Sequence, residues 1–194
     1  MGPVARVRGW WAAVERYAAH ADPRVTACNW IALVVASNQP FYPLYVQGVA
    51  GTGGFAAMLT FLSTPFFALA PLVGRRNDRL GRAMLPLAGI ANSLLALVLF
   101  GEASGVLLFL APCIVIAGLA FRADERRWSF PLIGLSALAY LAAPMLAATP
   151  LVALDAAGSL ALLRVNAFSA GCLLALTGLT FSGAMADIRA RSGA

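Results

Sequence analysis

Apolar residues run along this chain in long stretches, divided by short polar breaks. The stretches lack the strict alternation of half-buried strands and are broader than the single stripe of a surface helix. Six of them stand out: Thr26–Val46, Gly54–Gly74, Ala83–Phe100, Gly105–Phe121, Phe130–Ala148 and Leu160–Phe181. Each is about 17 to 22 residues long, the length a helix needs to cross a hydrocarbon core. The pattern predicts an all-α integral membrane protein, a bundle of six transmembrane helices. The first run begins only after about two dozen mixed residues and has spanning length, so it reads as a span and not as a cleaved leader.

Ahead of the first run, Val4, Val7, Trp11, Val14 and Ala18 recur at helical spacing, with Arg6, Arg8, Glu15 and Arg16 outside the stripe. This predicts a short interfacial amphipathic helix with Trp10 and Trp11 at headgroup depth. The expected organisation is an interfacial segment over 1–25, a six-helix domain over 26–183 and a short tail over 184–194.

The breaks alternate in charge, and that alternation sets an orientation. Gln47–Gly53 is neutral and glycine-rich, Gly101–Ser104 carries only Glu102, and Thr149–Ser159 carries only Asp155. The stretches Arg75–Arg82 and Arg122–Trp128 are strongly basic, as are the segment before the first run and the tail. Thirteen of the fourteen arginines, all except Arg164, therefore fall on one side. The positive-inside rule makes that side cytoplasmic, with both chain ends inside.

Composition agrees with the pattern. Of the 194 residues 61% are hydrophobic and 11% charged, with a mean hydropathy of +0.82, too little polar surface for a water-soluble domain. The net charge of +6 is gathered in loop clusters and not along one helix face, which points to membrane lipids as partners and away from nucleic acid. Cys28, Cys113 and Cys172 lie inside apolar runs at wide spacing, which gives neither a disulfide framework nor a zinc site.

Function in such a chain is sought where polarity is most expensive. Asn38 and Gln39, beside Ser37 in the first run, are followed by Pro40 and Pro43, which predict a kink. Asn92 and Asn166 are amides in apolar surroundings at comparable depth. These amides have two open readings, a ligand site or interhelical hydrogen bonds that satisfy freed backbone groups. Arg164 lies near the outer end of the last run, where Glu102 and Asp155 are the only acids. An outer polar cluster of Glu102, Asp155 and Arg164 above Asn38, Gln39 and Asn92 is one expectation. An arginine that snorkels to the interface is the other. Pro65, Pro86, Pro112 and Pro144 are further expected kinks, of the kind that line transporter sites but are common in membrane helices generally. Ala139, Ala143 and Ala147 recur every fourth residue, offering a close contact within the bundle or in a homo-oligomer.

Catalytic chemistry is poorly supplied. The single histidine, His20, lies in the collar before the first run, no intramembrane carboxylates are paired, and no serine or cysteine has a base nearby in sequence. A non-enzymatic protein without metal or cofactor is expected. Asp78, Asp124 and Glu125, mixed with arginines in the basic breaks, are expected to form solvated pairs.

Four short motifs carry a resemblance. They are Asn29 in CNW, Asn92 in GIANSLLALVLFG, the turn GEASG leading into an apolar run, and Asn166 in LLRVNAFSAG. Across 26–181 the chain resembles the six-helix membrane domains of bacterial sensor histidine kinases and membrane adenylyl or guanylyl cyclases. The resemblance implies a receptor-like module of the bacterial inner membrane that senses a lipid or small apolar ligand. Only ten residues follow Ala184, too few for a kinase or cyclase, so the expectation is either a standalone relative whose output passes through a protein partner or homo-oligomer, or a piece of a longer protein. A small-solute transport component and a structural subunit of a membrane complex are the alternative expectations.

Overall fold

A computed structural model describes residues 3–147 and 149–192, the side chains of 3, 4 and 192 excepted. The expected span end at Ala148, the side chain of Val4 of the N-terminal stripe and the last two residues of the tail lie outside what is described. Every regular element among the described residues is helical. The α-helices are α1 (Pro3–Ala18), α2 (Pro23–Asn38), α3 (Tyr42–Ala50), α4 (Gly54–Ala57), α5 (Thr64–Arg76), α6 (Asp78–Phe100), α7 (Leu110–Ala120), α8 (Arg126–Leu146) and α9 (Ala156–Ser192). Short 3₁₀ segments at Gln39–Phe41, Met58–Ser63 and Val106–Phe109 join α2 to α3, join α4 to α5 and precede α7.

Among the described residues four helical stretches are long and apolar enough to cross a bilayer: Gly54–Arg76, Asp78–Phe100, Ala123–Leu146 and Ala156–Arg191. Val106–Ala120 is apolar but shorter. The first apolar run is divided at Gln39–Phe41, where Pro40 removes a backbone donor and the helix tightens to 3₁₀ geometry. Pro65 follows the same kind of break in the first turn of α5, and Pro112 sits in the first turn of α7. Pro43 occupies the first turn of α3, whereas α6 and α8 continue through Pro86 and Pro144.

Sequence explains where the helices begin and end. Asp22 caps α2 by accepting from the Arg24 amide at 2.8 Å, and Asn77 caps α6 through the amides of Arg79 and Leu80 at 3.1 Å. At the far end of α6 the carbonyls of Val98 and Leu99 have no partner within the helix. The Leu151 and Val152 amides donate to them at 3.1 and 2.9 Å. Gly101 and Gly105 take positive φ (73° and 75°), which lets the chain turn within five residues into the next rod.

The helices pack as rods around α2 and α6. α5 and α6 form a hairpin, α8 leans on α6 and α7, and α9 lies along α2, α3 and α7. One core, at the arginine-rich end, contains Cys28, Ile31, Phe67, Ile116 and Phe181. A second, at the other end, contains Val46, Leu97, Phe100, Val106 and Leu162. Ala139 and Ala143 are 5% and 0% exposed and pack into the interior, so they contribute to the bundle's own packing. α9 runs on past Phe181 without a break, so the expected boundary at 183/184 falls inside a helix. Its end is tied to the collar, where Arg191 donates to the Ala21 carbonyl at 3.0 Å.

Candidate functional site: an apolar cavity and a polar knot

Between the two cores lies a cavity of about 850 Å³, walled by α2, α3, α6, α7 and α9 with Phe67 of α5. Apolar side chains such as Ile31, Leu85, Val106 and Ile116 form most of the wall, and among the described residues no charged one lines it. Most of its polar groups gather where the first rod breaks, with Ser37, Asn38, Gln39 and Tyr42 from that rod and Asn92 and Ser93 from α6, while Ser169 of α9 also lines it. The volume falls in the range of ~300–1,000 Å³ typical of small-molecule sites.

A hydrogen-bonded chain fixes this polar patch. The buried Gln39 Nε2 donates to Ser63 Oγ at 2.7 Å. Ser63 Oγ lies 2.9 Å from Asn92 Oδ1 and 2.7 Å from the Thr60 carbonyl, and its one proton serves one of them at a time. Gln39 and Ser63 each sit at a 3₁₀ break, so the two interrupted rods are stitched to each other and to α6. Each break turns only part of itself inward: Gln39, Thr60 and Ser63 are buried, while Phe41, Met58, Leu59, Phe61 and Leu62 are exposed.

The sequence-derived candidates divide into two groups. Asn38, Gln39 and Asn92 converge on the cavity. Asn166 is buried behind it: its Nδ2 donates to the Ser104 carbonyl at 2.9 Å and so anchors the GEASG turn. Its side chain neighbours the Tyr42 hydroxyl, and its Oδ1 and that hydroxyl are buried without a well-formed hydrogen bond. Glu102, Asp155 and Arg164 do not join them. All three are exposed, none lines the cavity, and no ion pair among the described residues links Arg164 to either acid. Asp155 instead caps α9, accepting from the Gly158 amide at 2.7 Å.

A second constellation, at the arginine-rich end, corrects the expectation of solvated pairs. Glu125 and Arg82 are buried, 6% and 2% exposed. Arg82 Nη1 and Nη2 reach Glu125 Oε2 and Oε1 at 2.8 and 3.1 Å, and Arg79 Nε adds a bond of 2.9 Å. Arg82 also donates to the Ala120 and Asp78 carbonyls and stacks over Phe121, 5.1 Å from the ring centre. Arg122 pairs with the buried Asp22 at 2.9 Å, and His20 Nε2 stands 3.6 Å from Asp78. Burial pushes the Glu125 carboxyl up, but the hydrogen bonds from Arg82, Arg79 and the Arg122 amide outweigh it and hold the group at about 2. The carboxylate of Asp22 raises Arg122. Every partner needed to keep these charges ionised is present, so the knot reads as a fastening between collar and loops.

Sequence reasoning missed Ser63 and Tyr42. The only local signal for Ser63 was its place ahead of Thr64 and Pro65, where a helix restarts. Among the described residues no group of three metal-ligating side chains is assembled. No family model, curated protein or solved structure matches the chain.

Proposed function

We propose that the chain is a six-span protein of the bacterial cytoplasmic membrane, with both ends inside, that acts as a non-enzymatic, receptor-like binding module for a small apolar ligand. The observation that carries this reading is the mostly apolar cavity of about 850 Å³, lined by no charged side chain among the described residues, with its polar group at Asn38, Gln39 and Asn92. A pocket of this kind offers a large apolar contact and a few placed hydrogen bonds, the combination that gives small-molecule sites affinity and orientation. The amphipathic stripe of α1 supports an interfacial placement, since Val7 and Trp11 are 66% and 50% exposed and Trp11 packs on Trp30 of the first rod. The shorter first and fourth rods count as spans in this reading because their 3₁₀ segments, which place Gln39, Val106 and Phe109 on the cavity wall, carry each rod on across the bundle.

Occupancy would be passed on by the rods that wall the cavity. α2 and α9 both run from it to the collar, and the unbroken end of α9 would present the signal to a protein partner. A second reading, a substrate-binding component of a transporter, is favoured by the two interrupted rods that meet at Gln39 and Ser63. Binding is tested directly with the detergent-purified protein and an apolar fluorescent probe, 1-aminoanthracene. The expected result is one saturable site, with Ser169→Trp, which fills the cavity wall, weakening it at least about tenfold. Leu141→Trp, on the exposed face of α8, is expected to leave the probe's affinity unchanged. Unsaturable partitioning, identical in the parent and both variants, would rule the cavity out as a site. A protein that copurifies in fixed ratio favours the receptor, and uptake of a solute on reconstitution favours the transporter.

A further inference from the structure

The cavity has an opening, and the exposure of its lining locates it. Val34, Ser37, Asn38, Phe41 and Tyr45 of the first rod and Phe168 and Cys172 of α9 line the cavity and are exposed. Every lining residue from α5, α6 and α7 is buried or half-buried. The two rods close on each other on either side, through Val46 and Leu162 in one core and through Ala27, Cys28 and Phe181 in the other. What remains is a window in the side of the bundle, framed by Phe41, Tyr45 and Phe168. In a protein that spans the bilayer, such a window faces lipid.

The hydrogen-bonding capacity left over inside the window is specific in kind. Ser93 is spent on the Gly89 carbonyl at 2.8 Å, and Asn92 Oδ1 faces Ser63. The Asn92 amide nitrogen makes no hydrogen bond among the described residues, nor does the side chain of Asn38, and the buried Tyr42 hydroxyl lacks a well-formed one. These are neutral amide and hydroxyl groups with free donors, in a wall that, among the described residues, carries no countercharge for an ionised group.

Resting on the reading of the cavity as a ligand site, we infer that its ligand is an uncharged single-chain amphiphile, its head a hydroxyl or carbonyl group, which enters sideways from the bilayer between the first rod and α9. The chain lies along Ile31, Leu85 and Ile116, and the head accepts from Asn92 and Tyr42. An ionised head would have to leave water for a wall without a partner, and this excludes fatty-acid anions and cationic amphiphiles.

Cys172 reports on the window, because it is exposed while Cys28 and Cys113 are buried. Its rate of modification by N-ethylmaleimide is read by mass spectrometry in detergent, with 1-oleoylglycerol, oleate or oleylamine added at equal concentration. Thr52→Cys, in a loop away from the window, controls for changes in the micelle. The expected result is protection of about tenfold by 1-oleoylglycerol alone, weakened by Tyr42→Phe, which removes only a hydroxyl, and by Asn92→Leu. Equal protection by all three amphiphiles overturns the uncharged-head inference and leaves the cavity standing. Absence of protection while 1-aminoanthracene still binds saturably overturns the window. Absence of both overturns the cavity reading itself.

Discussion

Arg82 and Glu125 meet through a two-pronged, buried ion pair, with nitrogen–oxygen distances of 2.8 and 3.1 Å, at the end of the bundle where the arginines gather. Arg82 belongs to α6 and Glu125 to the turn before α8, so the pair binds two connections that are 43 residues apart in sequence. Removing one partner would strand a charge with no water to solvate it, which is worth about 3 kcal/mol or more. Arg82→Leu is therefore expected to lower the melting temperature in detergent more than Arg127→Leu, a basic residue outside the network. The double variant Arg82→Leu with Glu125→Leu should recover part of the loss, since it leaves no buried charge alone. Additive losses in the double variant would show that the two side chains act independently.

Glu125 also predicts a pH dependence. Its carboxyl is held at about 2, below the ordinary 4.5, so the folded state favours the ionised form. The stabilisation is therefore complete above about pH 4.5 and is lost as pH falls toward 2. Glu125→Gln keeps the shape but cannot titrate. The difference in melting temperature between parent and Glu125→Gln should be largest near neutral pH and shrink as the pH is lowered through that window. A difference that stays constant from pH 7 to pH 3 would mean that the carboxylate is not what the knot depends on.

What the sequence could and could not tell follows from the range of the forces involved. Apolar run length is a local property, and the runs reappear as helices at the expected places, with breaks where Pro40 and Pro65 withdraw backbone donors. The polar group at Asn38 and Gln39 was visible because amides are rare in such surroundings. Its partners Ser63 and Tyr42 were not, since serine and tyrosine are ordinary in membrane helices and only packing brings Ser63 within 2.7 Å of Gln39. The same limit explains the outer cluster. Arg164, Glu102 and Asp155 were expected on one side of the bundle, but sharing a side does not set azimuth around it, and no ion pair among the described residues joins them. The burial of Glu125 was hidden for the opposite reason: a glutamate among arginines looks solvated until α6 and α8 enclose it.

The α5–α6 hairpin depends on two glycines. A methyl group placed on Gly81 would lie 2.4 Å from the Gly74 Cα and 2.7 Å from its nitrogen, distances that backbone cannot yield without the helices separating. Gly81→Ala is expected to cost about 1–3 kcal/mol by overpacking, although alanine is the better helix former by about 1 kcal/mol. Gly118→Ala, where a methyl group meets nothing within 4 Å, serves as the comparison and should be neutral or stabilising. Equal melting temperatures for the two variants would mean that the hairpin crosses at a greater distance.

The proposed orientation can be checked residue by residue, because the two kinds of loop differ so sharply in charge. Thirteen arginines on one side are held there by the high cost of moving guanidinium groups through hydrocarbon, about 2.5–3.5 kcal/mol each on insertion scales. In a Cys172→Ala background, with the other two cysteines buried, single cysteines at Thr52, Glu102 and Ala153 should react in intact cells with a membrane-impermeant maleimide. Cysteines at Arg76 and Asp187 should react only after the membrane is opened. Replacing one arginine by cysteine leaves twelve of the thirteen in place, so the probe itself cannot invert the protein. Labelling of Arg76→Cys from outside would reverse the bundle. Labelling of Thr52→Cys and Arg76→Cys from the same side would remove Gly54–Arg76 from the list of spans, and with it the even count that places both ends together.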